Sequence, residues 1–284
     1  MISPTGLPTA LASLDRTLVM GILNVTPDSF SDGGRWAHAD AAVDHAIRLH
    51  ADGADLVDVG GESTRPGAVR ISADEELSRV GPVVIELSRR GIPVSIDTMR
   101  ADVAAECVAA GACLVNDVSG GMADPEMLPW LATTTVPYVA MHWRGPSAVM
   151  DDLAVYDDVV ADVTDELGAR LATLAAAGVD PGRVIVDPGL GFAKRAEHNW
   201  ALLRSMDVLA QLGRPLLIGA SRKRFLGELL AEPDGTVRPM DRREAAGDAV
   251  ATLAAFAGAW GVRVHEVAAI KDAAMVARVW RGRS

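Results

Sequence analysis

The chain has 284 residues, of which 49% are hydrophobic and 23% charged, and its formal net charge at pH 7 is -11. This composition is typical of a globular protein with a large core, and the acidic balance argues against a general nucleic-acid binder. The apolar runs are too short for a membrane span, and the first sixteen residues lack the pattern of a secretory signal. We expect Cys107 and Cys113 to be reduced, buried thiols of a cytoplasmic protein.

The predicted elements begin with a flexible lead-in, residues 1–16, followed by one domain that covers 17–284. A buried strand is predicted at 18–24, and it leads into a polar loop that carries Asp28, Phe30 and Asp32. After this loop, an alanine-rich helical segment that ends in glycine is repeatedly followed by an apolar run. The six glycines are Gly53, Gly91, Gly111, Gly178, Gly213 and Gly261. Glycine closes the last turn of a helix in the left-handed conformation, so each apolar run is predicted to be a buried strand.

These runs predict strands at 55–59, 93–97, 113–116, 184–187, 215–218 and 262–265, and a further strand at 136–142 lacks the glycine. Helices are expected between them, for example at 40–51 and 243–260. Ser72 and Glu75 form a capping box that opens another helix, and four apolar residues recur on one face of a helix that begins near Val159.

Eight strands that alternate with helices predict a single (β/α)8 TIM barrel of the α/β class. A doubly wound open sheet ranks second, because the loop after the first strand is no glycine-rich phosphate turn. The segment from Gly189 to Gly191 is only a fragment of the dinucleotide fingerprint.

Polar residues end almost every predicted strand, and the carboxyl ends of barrel strands meet at one mouth. Each residue taken alone could cap a helix or bind loop amides, but capping does not explain all of them together. Asp97, Asn116 and Asp187 are short acceptors that suit the N–H-rich edge of a planar heterocycle.

A second group at the strand ends is cationic. Lys223, Arg263 and His265, with Ser221 at the start of a helix that runs from Arg222 onward, predict an anion site. Arg263 and His265 alternate with valines and therefore point to one face of a strand. Together, the acceptors and the cations predict a ligand with a flat, N–H-rich head and a phosphate-bearing tail.

Eight ordered motifs also carry a family resemblance; they occupy residues 21–34, 58–67, 95–98, 116–121, 141–145, 187–192, 221–225 and 263–265. The set closely resembles the dihydropteroate synthase family of folate biosynthesis, and the match runs from about residue 17 to the end. The resemblance implies a Mg²⁺-dependent barrel, expected to be a homodimer. It would condense 6-hydroxymethyl-7,8-dihydropterin diphosphate with 4-aminobenzoate, giving 7,8-dihydropteroate and diphosphate.

The resemblance also implies roles for residues of this chain. The pterin would be held by Asp97, Asn116, Asp187 and Lys223. The diphosphate would be bound by Asn24, Arg263 and His265, with Asn24 also a Mg²⁺ ligand. The 4-aminobenzoate site and its loops would include Phe30, Thr64, Arg65, Pro66, Phe192 and Ser221, and the catalytic residues would be Asp32, Lys223 and Arg263. No side chain is placed as an obvious nucleophile, so we expect an SN1-like transfer without a covalent enzyme intermediate.

Two other functions remain open at this point. A pterin-dependent methyltransferase would share the pterin carboxylates, but it would not need the diphosphate site at Arg263 and His265 or the loop at 63–66. A non-catalytic pterin-binding homologue would be expected to lose that loop or the segment 221–223, and both are intact.

Overall fold

The structure is a computed structural model that describes residues 2–26, 35–63, 67–68, 70–146 and 148–282, without the side chains of 35–38. Its eight strands are β1 Leu18–Asn24, β2 Leu56–Gly60, β3 Val94–Asp97, β4 Leu114–Asp117, β5 Tyr138–Met141, β6 Val184–Asp187, β7 Leu217–Ile218 and β8 Gly261–Val264. All eight lie within or next to the runs that the sequence predicts.

Helices precede, connect and follow the strands. They are α1 Thr9–Ala12, α2 Arg35–Ala51, α3 Ala73–Arg89, α4 Ala101–Ala109, α5 Met127–Ala132, α6 Val159–Ala176, α7 Ala196–Arg204, α8 Met206–Ala210, α9 Arg224–Leu229, α10 Glu244–Ala257 and α11 Ala268–Trp280. Short 3-10 turns lie at Pro181–Arg183 and Met240–Arg242. The predicted capping box begins α3, where the Ser72 hydroxyl accepts a hydrogen bond from the Glu75 amide.

The strands form one parallel sheet in the order β6-β5-β4-β3-β2-β1-β8-β7. A parallel bridge between Val186 and Leu216 joins the two ends of this order and closes the sheet into a barrel. The prediction of a single (β/α)8 barrel is therefore confirmed, and the open doubly wound sheet is excluded.

Two hydrophobic clusters hold the barrel together. The larger one lies between the outer faces of the strands and the helices, as the apolar faces of α3, α6 and α10 require. The smaller one fills the barrel interior with alternate strand residues, namely Leu18, Met20, Leu56, Leu114, Val139, Ile185 and Leu217. Because strand side chains alternate, the inward residue two positions further along each strand lies nearer the mouth.

The lead-in differs from the expectation of a flexible segment. Helix α1 lies within it, and Leu7 and Leu11 pack into the interior cluster with Trp260. Arg16 then makes a buried ion pair with Asp55 at 2.6 Å. The lead-in covers the amino-terminal end of the barrel, which would otherwise expose its apolar interior to water. Burial of this apolar surface stabilises the packed conformation of the lead-in.

Two local predictions need correction. Five of the six predicted helix-closing glycines have positive φ, but Gly261 lies inside β8, and Gly258, with φ of 100°, ends α10 instead. The helix expected from Arg222 begins at Arg224. Cys107 and Cys113 are free cysteines, as predicted, but only Cys107 is buried; Cys113 is half-buried. Among the described residues, no helix is both long and apolar enough to cross a membrane.

Candidate active site

Polar residues form the uppermost inward layer of the barrel. Asp58, Asn116 and Asp187 each follow an interior leucine or isoleucine by two positions, so the strand repeat turns them toward the mouth. The register pairs Asp97 with Asn116 across β3 and β4. The prediction that polar strand ends converge at one mouth is therefore confirmed for this layer.

Arg263 is the centre of this layer. Its Nε donates to Asp58 Oδ2 at 2.6 Å, and its Nη2 donates to Asp97 Oδ2 at 2.8 Å. The Asn116 amide donates to the same Asp58 oxygen at 2.9 Å. Asp58 is fully buried, and its Oδ1 has no hydrogen-bond partner within the part of the chain that the structure describes. The interior thus holds two carboxylates that share one guanidinium.

The charges of this cluster shift the titration of its members. Burial raises the pKa of Asp97 to about 7; the Arg263 charge opposes this shift and the Asp58 carboxylate adds to it. Burial works to lower the pKa of Arg263, but the charges of Asp58 and Asp97 outweigh it and raise the value. Arg263 is consequently a permanent cation, whereas Asp97 can change its charge near neutral pH.

Asp187 and Lys223 lie beside this cluster, near enough for their charges to interact. Burial raises the pKa of Asp187, against the charges of Lys223 and Arg263, and Asp187 Oδ1 accepts a hydrogen bond of 2.7 Å from the Gly189 amide. Burial lowers the pKa of Lys223 to about 8. The Lys223 ammonium donates to the Leu190 carbonyl and lies 5.0 Å from the centre of the Phe192 ring. The predicted residues Lys223, Asp187 and Phe192 are therefore neighbours.

Ser221 and His265 meet at the rim, where Ser221 Oγ and His265 Nδ1 are 2.9 Å apart. The backbone differs from the prediction here, because Arg222 adopts a left-handed φ of 62° and makes an ion pair with Glu244 at 2.6 Å. Since α9 starts two residues later and has only six residues, the side chains of the predicted anion site carry more weight than a helix terminus.

The other predicted site residues lie at the end of β1 or outside the described residues. Asn24 ends β1 and is half-buried. Asp28, Phe30, Asp32, Thr64, Arg65 and Pro66 lie outside the described residues. Within the described ranges, no group of three or more His, Cys, Asp or Glu side chains is arranged to hold a metal ion.

Sequence reasoning missed three charged residues near the mouth. Asp58 could have been found, because a carboxylate in the middle of a fully apolar strand requires a buried partner. Lys194 lies in the loop after β6, where it contacts His142, and Glu166 on α6 contacts the same histidine. These contacts join residues that are distant in the sequence, so no local pattern predicts them.

The arrangement defines a class of site: a barrel mouth with buried carboxylates and an amide for N–H groups, and with cations for an anionic group. The family description "Pterin binding enzyme" matches residues 20–265. The dihydropteroate synthase of Mycobacterium leprae is 56% identical over 269 residues, which is 94% of this chain and 95% of that protein. The chain therefore belongs to the pterin-binding enzymes, and within them to the dihydropteroate synthase family.

Solved structures agree with this assignment. The dihydropteroate synthase of Xanthomonas albilineans with 4-aminobenzoic acid has a TM-score of 0.85 and 45% identity, over 94% of this chain and 93% of that one. The same organism's enzyme in complex with 7,8-dihydropteroate has a TM-score of 0.83 and 42% identity, over 95% of both chains. Neither the methyltransferase nor the non-catalytic alternative receives support from these matches.

Proposed function

We propose that this enzyme condenses 6-hydroxymethyl-7,8-dihydropterin diphosphate with 4-aminobenzoate and releases 7,8-dihydropteroate and diphosphate. The observation that carries the proposal is the buried layer of Asp58, Asp97, Asn116 and Asp187 around Arg263 at the barrel mouth. A related enzyme of the same fold has been solved with 7,8-dihydropteroate, and that product has the N–H-rich head that such a layer suits.

The acceptors of the layer would bind the pterin head. Asp97, Asn116 and Asp187 offer carboxylate and amide oxygens in a buried site, where a hydrogen bond to a charged group contributes about 1.5–3 kcal/mol. Lys223, beside Asp187, would donate to a ring acceptor of the pterin. Burial raises the pKa of Asp97 and Asp187, and N–H groups donated by a bound pterin would oppose this shift by favouring the charged carboxylates.

Arg263 and His265 would bind the diphosphate, since both point to one face at the end of β8. A guanidinium has five donors, and the bonds to Asp58 and Asp97 use one on Nε and one on Nη2, so donors remain for an anion. Ser221, in contact with His265, would add a hydroxyl donor.

The chemistry follows from these positions. Neutralising the charge of the diphosphate makes it a better leaving group, and the reduced pterin donates electrons as the C–O bond breaks. The amine of 4-aminobenzoate then attacks the methylene carbon and loses a proton. No bond to the protein forms, so a crystal soaked with both substrates that showed a side chain bonded to the methylene would contradict this SN1-like route.

Asn24 would hold Mg²⁺ through its amide oxygen. The ion prefers oxygen ligands and commonly takes only one or two from the protein, with the rest from water and substrate phosphates. A single half-buried amide oxygen at the end of β1 fits that description. Bound there, the ion would neutralise charge on the leaving diphosphate. Chelation should therefore abolish turnover, and Asn24→Ala should raise the Mg²⁺ concentration needed for half-maximal rate.

A second copy of the chain is the proposed partner of the surface formed by α10 and α11. Leu253, Val276, Val279 and Trp280 are 66%, 57%, 66% and 77% exposed. The three residues on α11 recur at helical spacing and so share one face. An apolar face of this kind on two packed helices fits a symmetric dimer. Sedimentation of wild type and of Val279→Asp should give a dimer and a monomer, and two identical monomers would contradict the assignment.

The central experiment is an assay of purified protein with Mg²⁺ and the two substrates, in which 7,8-dihydropteroate is detected directly. Omission of 4-aminobenzoate and the variant Asp97→Ala are the controls, and both should give no product. Absence of product from the wild type under these conditions would overturn the proposed function and leave pterin binding alone to be explained.

A further inference from the structure

A buried polar network lies beneath the loop between β6 and α7, residues 188–195. Lys194 is almost fully buried, and its ammonium donates to the Phe192 carbonyl at 3.1 Å and contacts His142 Nδ1 at 2.9 Å. His142 Nε2 lies 2.8 Å from Glu166 on α6. Since the carboxylate accepts the Nε2 proton, His142 Nδ1 is the acceptor for the lysine.

A second arm of the network reaches the next carbonyl of the same loop. The Tyr156 hydroxyl donates to Ala193 at 2.9 Å, and the Arg144 guanidinium lies over the Tyr156 ring at 3.8 Å. Arg144 also makes an ion pair with Glu166 at 2.5 Å. Both arms therefore lead back to one carboxylate on α6.

The loop held by these arms contains three residues with positive φ, one of which is not glycine. Gly189, Gly191 and Ala193 all have positive φ, at 67°, 77° and 48°, and for alanine this region is unfavourable. The loop supplies two groups to the mouth of the barrel, the Leu190 carbonyl that accepts from Lys223 and the Phe192 ring beside the same ammonium. Its conformation thus decides where the Phe192 ring lies.

We propose that Lys194 is a positioning residue for the 4-aminobenzoate subsite: through its bonds to the Phe192 carbonyl and His142, it fixes the Phe192 ring against the mouth. The inference rests on the proposed function, which assigns Phe192 to that subsite. Burying a lysine is costly, and burial lowers the pKa of Lys194 to about 7. Apolar residues could close a loop by packing alone. The cost of burying Lys194 is explained if the position of the Phe192 ring matters for the enzyme. A small displacement of a side chain in an active site can lower the rate by a large factor.

Lys194→Met tests this role, because methionine keeps the length of the side chain and removes the donor. We expect the KM for 4-aminobenzoate to rise about tenfold or more, with a smaller change in kcat. The same substitution at Lys271, which pairs with Asp55 at the opposite end of the barrel, is the matched control and should leave that KM unchanged.

A double variant separates positioning from general stability. If Lys194 acts through Phe192, then Lys194→Met should add no further increase in KM once Phe192→Ala is present. Additive effects, or a lowered melting temperature with an unchanged KM for 4-aminobenzoate, would overturn the proposal. Should Lys194→Met fail to fold, Glu166→Gln at the partly exposed end of the network should raise the same KM about threefold. An unchanged value would again overturn the proposal.

Hydrogen exchange followed by mass spectrometry tests the network without any enzymatic assay. Peptides that cover 188–195 should exchange faster in Lys194→Met than in wild type, whereas peptides that cover β1 should not change. Unchanged exchange in 188–195 would overturn the proposal. If the wild type forms no dihydropteroate and yet exchange in this loop does rise, the proposed function fails while the structural link from Lys194 to Phe192 stands.

Discussion

Asp58→Asn is the sharpest test of the buried layer, because Asp58 joins two residues assigned to the ligand. Its Oδ2 accepts hydrogen bonds from Arg263 at 2.6 Å and from Asn116 at 2.9 Å. Asparagine keeps the shape and one acceptor oxygen but removes the charge. The two bonds then lose their charged component, which contributes about 1 kcal/mol or more to each.

We therefore expect the free energy of unfolding to fall by about 2–3 kcal/mol, short of the roughly 3–5 kcal/mol lost when a buried ion pair is broken, because Arg263 keeps Asp97 as a partner. For a chain of this size the melting temperature should fall by about 4–10 °C. Affinity for the pterin diphosphate should also fall by about tenfold, since the acceptor that Arg263 and Asn116 share loses its charge and holds both side chains less firmly.

Chemical denaturation and titration calorimetry on the same preparations measure both quantities. Asp117→Asn is the matched control: this carboxylate is equally buried, but it accepts bonds from Ser119, Gly121 and Tyr138. The Asp117→Asn variant should be less stable than the wild type and should bind the pterin diphosphate with unchanged affinity. A free energy of unfolding for Asp58→Asn within about 0.5 kcal/mol of wild type would refute the reasoning.

Two further predictions concern binding and stability. Asp97→Ala and Asp187→Ala should each abolish measurable pterin binding, because ligand N–H groups would be left unpaired in a buried site; calorimetry showing unchanged affinity for both would contradict the assignment of the head-group site. Arg16→Ala should lower the free energy of unfolding by about 2–4 kcal/mol, since it breaks a buried ion pair. Arg89→Ala, at an exposed pair, should change it by less than about 0.5 kcal/mol in the same denaturation experiment.

The strands were predictable because each is buried on both faces and therefore reads as a continuous apolar run after a break. The residue that ends a helix was harder to predict. Gly258 and Gly261 are three residues apart, and both precede residues 262–264 of the last strand. Only the packing of α10 decides that the first adopts the left-handed conformation. The late start of α9 has the same origin, because Arg222 is held at positive φ by contacts with distant glutamates.

In the active site, likewise, the residues marked by a local sequence pattern could be predicted, whereas their distant partners could not. Asp97, Asn116 and Asp187 could be predicted because each is a polar residue at the end of an apolar run. Their partners could not, since Arg263 binds Asp58 across 205 positions of sequence. The cation predicted to meet an anion is already paired with two carboxylates, so its affinity for diphosphate depends on a balance that only the folded barrel sets up.

That balance makes a further prediction about pH, in which Asp97 is the titrating group. Burial raises its pKa to about 7; the Arg263 charge opposes this rise, but Arg263 is shared with Asp58, whose charge adds to the rise. The folded protein therefore holds a proton on Asp97 between about pH 4 and 7 that the unfolded chain has lost, and this contribution to stability declines as pH rises through that range.

A ligand that donates N–H groups to Asp97 requires its charged carboxylate, so binding must expel the proton. Pterin affinity should thus fall as pH drops below 7, by up to about tenfold per pH unit, with proton release seen by calorimetry in buffers of different ionisation enthalpy. Asp97→Asn should release less, and equal release by variant and wild type would show that Asp187, whose pKa is also raised by burial, is the group that titrates.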